Sequence, residues 1–227
     1  MIVSLSEVQT KVRDAACGAG APYGLAEDAG SCARRLAAWR WPWCEAVVHA
    51  LDIFSRGECA AVLDGERPLC GPLVAQALVD IVVAGGQSDA DSVVVIAPLF
   101  VIPAAYDAGL ARNVRIVPNA DIEIIAGPDG IGVFHNDTIA EEIVDGDFGL
   151  LDLVDAAVSF SAWAGLGAQI SISTAGLDEA AVATAASGVS VADASWDQLM
   201  DFVHKTYVTA SEHSRLTGAG AGLIDSD

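Results

Sequence analysis

The 227-residue chain is long enough to bury about 70–75% of its unfolded surface in one domain or two small ones. With 53% hydrophobic residues, 19% charged residues and a mean hydropathy of +0.45, it is too apolar to be disordered. Its 11 Lys and Arg against 31 Asp and Glu give a formal charge of −20, which makes binding to nucleic-acid phosphates or an anionic membrane electrostatically unfavourable, so neither partner is expected.

The opening MIVSLSEVQTKVRDAACGAG carries polar residues from Ser4 through Asp14. It lacks the basic stretch, apolar core and cleavage site of an export signal. Asp80, the segment from Ser88 to Ser92, Pro98 and Pro103 interrupt the most apolar region, Leu73 to Tyr106. Neither half supplies the roughly 20 apolar residues of a spanning helix. The five cysteines, Cys17, Cys32, Cys44, Cys59 and Cys70, include no CxxC pair. They read as reduced thiols packed as small apolar side chains in a cytoplasmic protein.

Ser4 and Glu7 form a capping-box pattern, after which Leu5, Val8, Val12 and Ala15 recur at helical spacing. After the turn GAGAPYG, a second helix repeats the pattern with Leu25, Ala29, Cys32, Leu36 and Trp39. Small residues on the seam predict an antiparallel pair. Pro42 restarts the chain, and Val47, Leu51 and Phe54 give a third helix ending at Gly57. The fourth, Pro72 to Ala84, is apolar nearly all round and is expected in the interior.

Strand signals begin at Ser92. The run SVVVIAPLFVIP predicts one or two buried strands, and Val114 to Val117 another. Residues 121–134 read as a hairpin with a type I turn, Pro128 at its second position and Gly130 at its fourth. Thr138 and Glu141 suggest a one- to two-turn helix. Residues 156–162, 170–174 and 188–192 read as further strands. A helix capped by Ser195 and Gln198 follows, with Trp196, Leu199, Val203 and Tyr207 on its buried face, then a short helix near 209–217 and an ordered GAGAG tail. The expected fold class is α+β: a helical part, 1–87, packed on a mixed α/β part, 88–227, as one inseparable unit.

Candidate chemistry is sparse. Gly18 to Gly24 follows a helix, and Glu27 and Asp28 stand in the first turn of the helix it opens, where a phosphate would meet carboxylates. Only LIDSD follows Gly218 to Gly222, so no helix stands behind that tract to hold a pyrophosphate. Close backbone packing is the favoured reading of both glycine tracts. His49, His135, His204 and His213 lack metal-ligand spacing, and the three Asp-x-Asp units lack the further ligands of a calcium loop. Neither metal nor cofactor is expected. In SEHSR, Ser211 and His213 stand two apart on a helix and point away from each other, which excludes a local triad. Tyr207, Ser211 and Arg215 share one face at four-residue spacing. As a scarce cation, Arg215 is either a carboxylate clamp or a tether that neutralises neighbouring acids, and the tether is the favoured reading. Glu27, Ser31 and Arg35 share another stripe, read mainly as a solvated face. The candidate ligand-binding residues are thus Glu27, Arg35, Tyr207, Ser211 and Arg215, meeting where the 18–30 turn approaches the 207–222 segment.

The strings SLSEV, GAG-x-P-x-G-LAE-x-AG with the Arg-Arg-Leu after it, and SRLTGAGAGL-x-D-x-D resemble a bacterial family of uncharacterised proteins, a domain of unknown function. The resemblance is expected along essentially the whole chain and brings no activity, cofactor or catalytic residue with it. It implies that Gly18–Gly30 and Ser214–Asp227 are identifying features. Two functions fit: a cytoplasmic enzyme or enzyme subunit acting on a small metabolite, and a non-catalytic oligomeric accessory protein. A homo-oligomer is expected, because high hydropathy beside a −20 charge suits apolar subunit contacts under an acidic exterior.

Overall fold

The structure, a computed structural model, describes residues 1–84, 92–108, 112–119, 122–127, 130–135, 138–139, 155–162 and 172–207. Ser4 caps α1 (Leu5–Gly18): its Oγ accepts from the Glu7 amide at 3.1 Å, and Val8, Val12 and Ala15 turn inward as the spacing predicts. In α2 (Tyr23–Ala38), Ala29, Cys32 and Leu36 are buried. The two helices run antiparallel and close together, with Gly30 of α2 against the Gln9 carbonyl of α1. The third helix, α3 (Cys44–Ser55), closes at Gly57, whose φ of +76° a glycine adopts without strain. The fourth, α4 (Gly71–Val83), packs on α2, α3 and the segment after β3 (Ser92–Ile96).

A sheet lies beside these helices. Preceding α4, β2 (Leu69–Cys70) pairs in parallel with β3, so α4 is the crossover between them. The remaining pairs are antiparallel. With β4 (Arg112–Asn119), β5 (Ile122–Gly127), β6 (Gly130–His135), β7 (Thr138–Ile139) and β8 (Asp155–Ala162), the order is β2-β3-β8-β4-β5-β6-β7, and β9 (Ile172–Ser173) adds to β6. On one face, Ile116 pairs with both Ile124 and Val158, and Val114 with Ala126; all five are buried. The exposed Arg115 between them points to the opposite face, as the two-residue period requires. The chain then returns to the helical side through α6 (Thr174–Ser187), β10 (Val189–Ser190) and α7 (Asp193–His204). The short strand β1 (Ile2–Val3) pairs with β10; α6 packs on α2, and α7 packs on α1 and α3.

The fold is α+β with its first half mostly helical, as expected, and four local readings need correction. Only the first half of SVVVIAPLFVIP is a strand. Ala97 turns to φ 53°, a 3₁₀ turn (Pro98–Phe100) follows, and then α5 (Val101–Asp107). Both prolines stand in first turns, where their missing N–H forfeits no helical bond. Helix α6 has no counterpart among the expected elements. Thr138 and Ile139 pair with β6 instead of opening a helix. The last helix starts at Asp193, so Ser195 lies within it and donates to Glu45 Oε1 at 2.7 Å, while Tyr207 lies beyond its end and is 57% exposed. The predicted hairpin is β5–β6, with Gly127 paired to Gly130. Pro128, the helix near 209–217 and the GAGAG tail lie outside the described residues.

Candidate functional site

Where α1, α2, α5 and α6 meet, they leave a cleft of about 480 Å³. Its polar lining is Gln9 from α1, Ser31, Arg34 and Arg35 from α2, and Asp107 from the end of α5. Its apolar lining is Leu5, Ala38 and, from α6, Ala181, Val182 and Ala185. Helical spacing places Ser31, Arg34 and Arg35 on one face of α2, and the antiparallel pairing with α1 brings Gln9 to that face. Gln9 Nε2 lies 3.4 Å from Ser31 Oγ, a contact at the outer limit of a hydrogen bond, and Arg34 Nη1 donates to Gln9 Oε1 at 3.1 Å.

The two arginines differ. Arg35 is ion-paired with Asp107 and lies 5.5 Å from the centroid of the Tyr106 ring, a cation–π contact. The Tyr106 hydroxyl donates to Asp178 of α6 at 2.9 Å; burial and that bond raise its pKa. Arg35, Tyr106 and Asp178 thus link α2, α5 and α6 on one side of the cleft. Arg34 makes no salt bridge among the described residues, and its contact with Gln9 is charge to neutral amide.

A second cleft, of about 410 Å³, lies between residues 40–45 and 188–192. Arg40 lines it from a left-handed backbone, φ 61°, in the position after a helix that glycine usually fills. Its Nε donates to Oγ1 of the fully buried Thr184 at 3.1 Å, joining the end of α2 to α6.

Of the expected site residues, Arg35 lines the first cleft. Glu27 is exposed on α2 outside that lining, where its charge, with burial and Asp80, helps raise the Asp28 pKa; burial is the largest cause. Tyr207 lies 5.4 Å from the His204 ring, between centroids. Ser211 and Arg215 lie outside the described residues. Gly18, the last residue of α1, packs on α7, where its Cβ position would fall 1.9 Å from the Phe202 carbonyl oxygen; the 208–222 segment expected to meet the 18–30 turn lies outside the described residues. That contact is tight backbone packing, and Gly18 is not part of the cleft. Gln9, Asp107 and the alanines of α6 escape the sequence reading; for Gln9 the available signal was its place on the polar side of α1, facing the seam with α2.

Four cysteines are buried and Cys17 is half-buried, and none of the five is in a disulfide. Burial pushes Cys32 and Cys44 up to about 12, and the hydrogen bond with Cys59, with burial, holds Cys70 well above its ordinary value. Such thiols are poor nucleophiles. Among the described residues, no group of three His, Cys, Asp or Glu is placed to hold a metal ion, and no helix is long and apolar enough to cross a membrane.

Residues 3–61 match a bacterial family described as "Protein of unknown function (DUF3726)". The DUF3726 segment spans α1 to α3, and the matched stretch includes the Gly18–Gly30 string but not Ser214–Asp227. The likeness, expected along the whole chain, is therefore found on its first part. Leu5, Gln9, Ser31, Arg34, Arg35 and Ala38 of the cleft fall inside the DUF3726 segment, and Asp107 and the α6 residues outside it. No curated protein and no solved structure matches the chain.

Proposed function

We propose that the chain binds a small metabolite in the cleft between α1, α2, α5 and α6, as a cytoplasmic enzyme or enzyme subunit. The observation that carries this reading is Arg34, a cation without a carboxylate partner among the described residues of a −20 protein, held by Gln9 in a cleft with one polar wall from α1, α2 and α5 and one apolar wall completed by α6. A cation with no carboxylate partner attracts anions, and a concave site that sets convergent polar groups beside an apolar surface is a usual form of a small-molecule site. The charge also argues against a nucleic-acid partner. A thermal-shift screen against a metabolite library tests the reading, since a ligand at about 100 times its Kd adds about 2.7 kcal/mol of stability. Hits should weaken in Arg34→Gln and in Ala185→Leu, which fills the cleft from α6. Hits indifferent to both substitutions would refute it.

A second reading, a homo-oligomeric accessory protein, draws on the half-exposed Leu63 and Val94, which line a common surface depression of about 310 Å³. Light scattering at micromolar concentration would support it by giving a dimer mass that Leu63→Glu reduces to a monomer; a monomeric wild type would remove it.

A further inference from the structure

We infer that the ligand of the Arg34 cleft is a monocarboxylate bearing an aliphatic or aromatic body. This inference rests on the metabolite-binding reading above. Charge selects the head group. Two guanidiniums and the Asp107 carboxylate leave the lining one positive charge, which a monoanion neutralises and a dianion over-fills beside Asp107. Donor geometry agrees: Arg34 spends Nη1 on Gln9, and its Nε–Nη2 edge, the pair of parallel donors that fits a carboxylate bidentately, makes no bond to a described residue. The same edge also fits a phosphate, but a phosphate monoester is largely dianionic near neutral pH, and the converging backbone amides or helix N-terminus that commonly share such a charge are not where the arginines stand. Arg34 and Arg35 instead stand in the second half of α2, and Ala181, Val182 and Ala185 in the second half of α6.

The body is selected by the rest of the lining. Leu5, Ala38, Ala181, Val182 and Ala185 offer no side-chain donor or acceptor, and Val182 is 74% exposed. Ala181 and Ala185, one turn apart, leave open the volume that longer side chains would fill. At about 480 Å³, the cleft suits a compact molecule, since small-molecule sites run from about 300 to 1,000 Å³.

Calorimetric titration of the full chain with acetate, butanoate, hexanoate, hexanamide and inorganic phosphate tests the class. Affinity should rise from acetate to hexanoate by about fourfold per methylene buried. Hexanamide should bind at least about tenfold more weakly than hexanoate, the loss of one charge-assisted contact, and phosphate, which lacks the apolar body, should bind no more tightly than acetate. Arg34→Gln should weaken hexanoate by about tenfold to a hundredfold, and Ala185→Leu should abolish its binding while leaving the melting temperature at or above that of wild type. Should Arg34→Gln not fold, Ala185→Leu carries the test alone. Phosphate binding more tightly than acetate, hexanamide binding as tightly as hexanoate, or no binding of hexanoate, overturns the class. If library hits then still depend on Arg34 and Ala185, the metabolite-binding reading survives; if they do not, that reading falls as well.

Discussion

Substituting alanine at three glycines should give effects of opposite sign set by backbone approach. A Cβ at Gly30 would lie 2.5 Å from the Gln9 carbonyl oxygen, and one at Gly18 only 1.9 Å from that of Phe202. Both obstacles are backbone, so α1 would have to move away from α2 in the first case and from α7 in the second. A gap of roughly 0.5–1 Å forfeits a quarter to a half of each dispersion contact along a seam, and overpacking of this kind costs about 1–3 kcal/mol. Alanine's better helix propensity returns about 1 kcal/mol, so Gly30→Ala should lose up to about 2 kcal/mol net and Gly18→Ala at least as much. A Cβ at Gly24, also in α2, meets nothing within 4 Å, so Gly24→Ala should be neutral or gain up to about 1 kcal/mol. Urea denaturation of the three variants measures these differences, and calorimetry should show about 2–4 °C per kcal/mol at this chain length. Equal stability of Gly30→Ala and Gly24→Ala would refute the claim that these glycines exist for close packing.

Arg40 should behave differently from an ordinary helix-end arginine. Arg40→Ala keeps the left-handed strain and loses the Thr184 bond, whereas Arg40→Gly loses the bond but relieves the strain, so the glycine variant should be more stable than the alanine variant by about 1 kcal/mol; the reverse order in urea would contradict the reading. The buried thiols set a pH dependence. Unfolding returns Cys32, Cys44 and Cys70 to an ordinary pKa of about 8.5, while the folded chain keeps their protons to higher pH. The unfolded state therefore binds fewer protons above that value, so stability is complete below it and falls as pH rises toward 12, by up to about 1.4 kcal/mol per pH unit for each thiol. A urea midpoint unchanged between pH 8 and pH 10.5, or unaltered by Cys32→Ala with Cys44→Ala, would contradict this.

The first half of the fold is legible in the sequence because its signals are local. The Ser4–Glu7 capping box and the stripes through Val8, Val12, Ala29, Cys32 and Leu36 lie within one helix each. The cleft is less legible because it depends on two helices whose sequences carry misleading signals. In the 3₁₀ turn and α5 that follow β3, β-branched residues and two prolines imitate a strand and its end, although each proline stands in the first turn of its own element, where it is tolerated. Helix α6, TAGLDEAAVATAAS, has almost no apolar periodicity. Its inward side is Leu177, the half-buried Ala181 and the buried Thr184, spaced four and three apart, but one member is polar and one is alanine. The same composition that hides α6 shapes the cleft. A helix with leucines at 181 and 185 would announce itself by its stripe and would also fill the space beside Arg34. Small side chains bury too little to mark a helix by periodicity, yet their shortness leaves room for a ligand. Ser31, Arg34 and Arg35 are therefore readable as a polar stripe from α2 alone, whereas their part in a concave site becomes visible only once Gln9, Asp107 and an alanine-rich helix are placed around them.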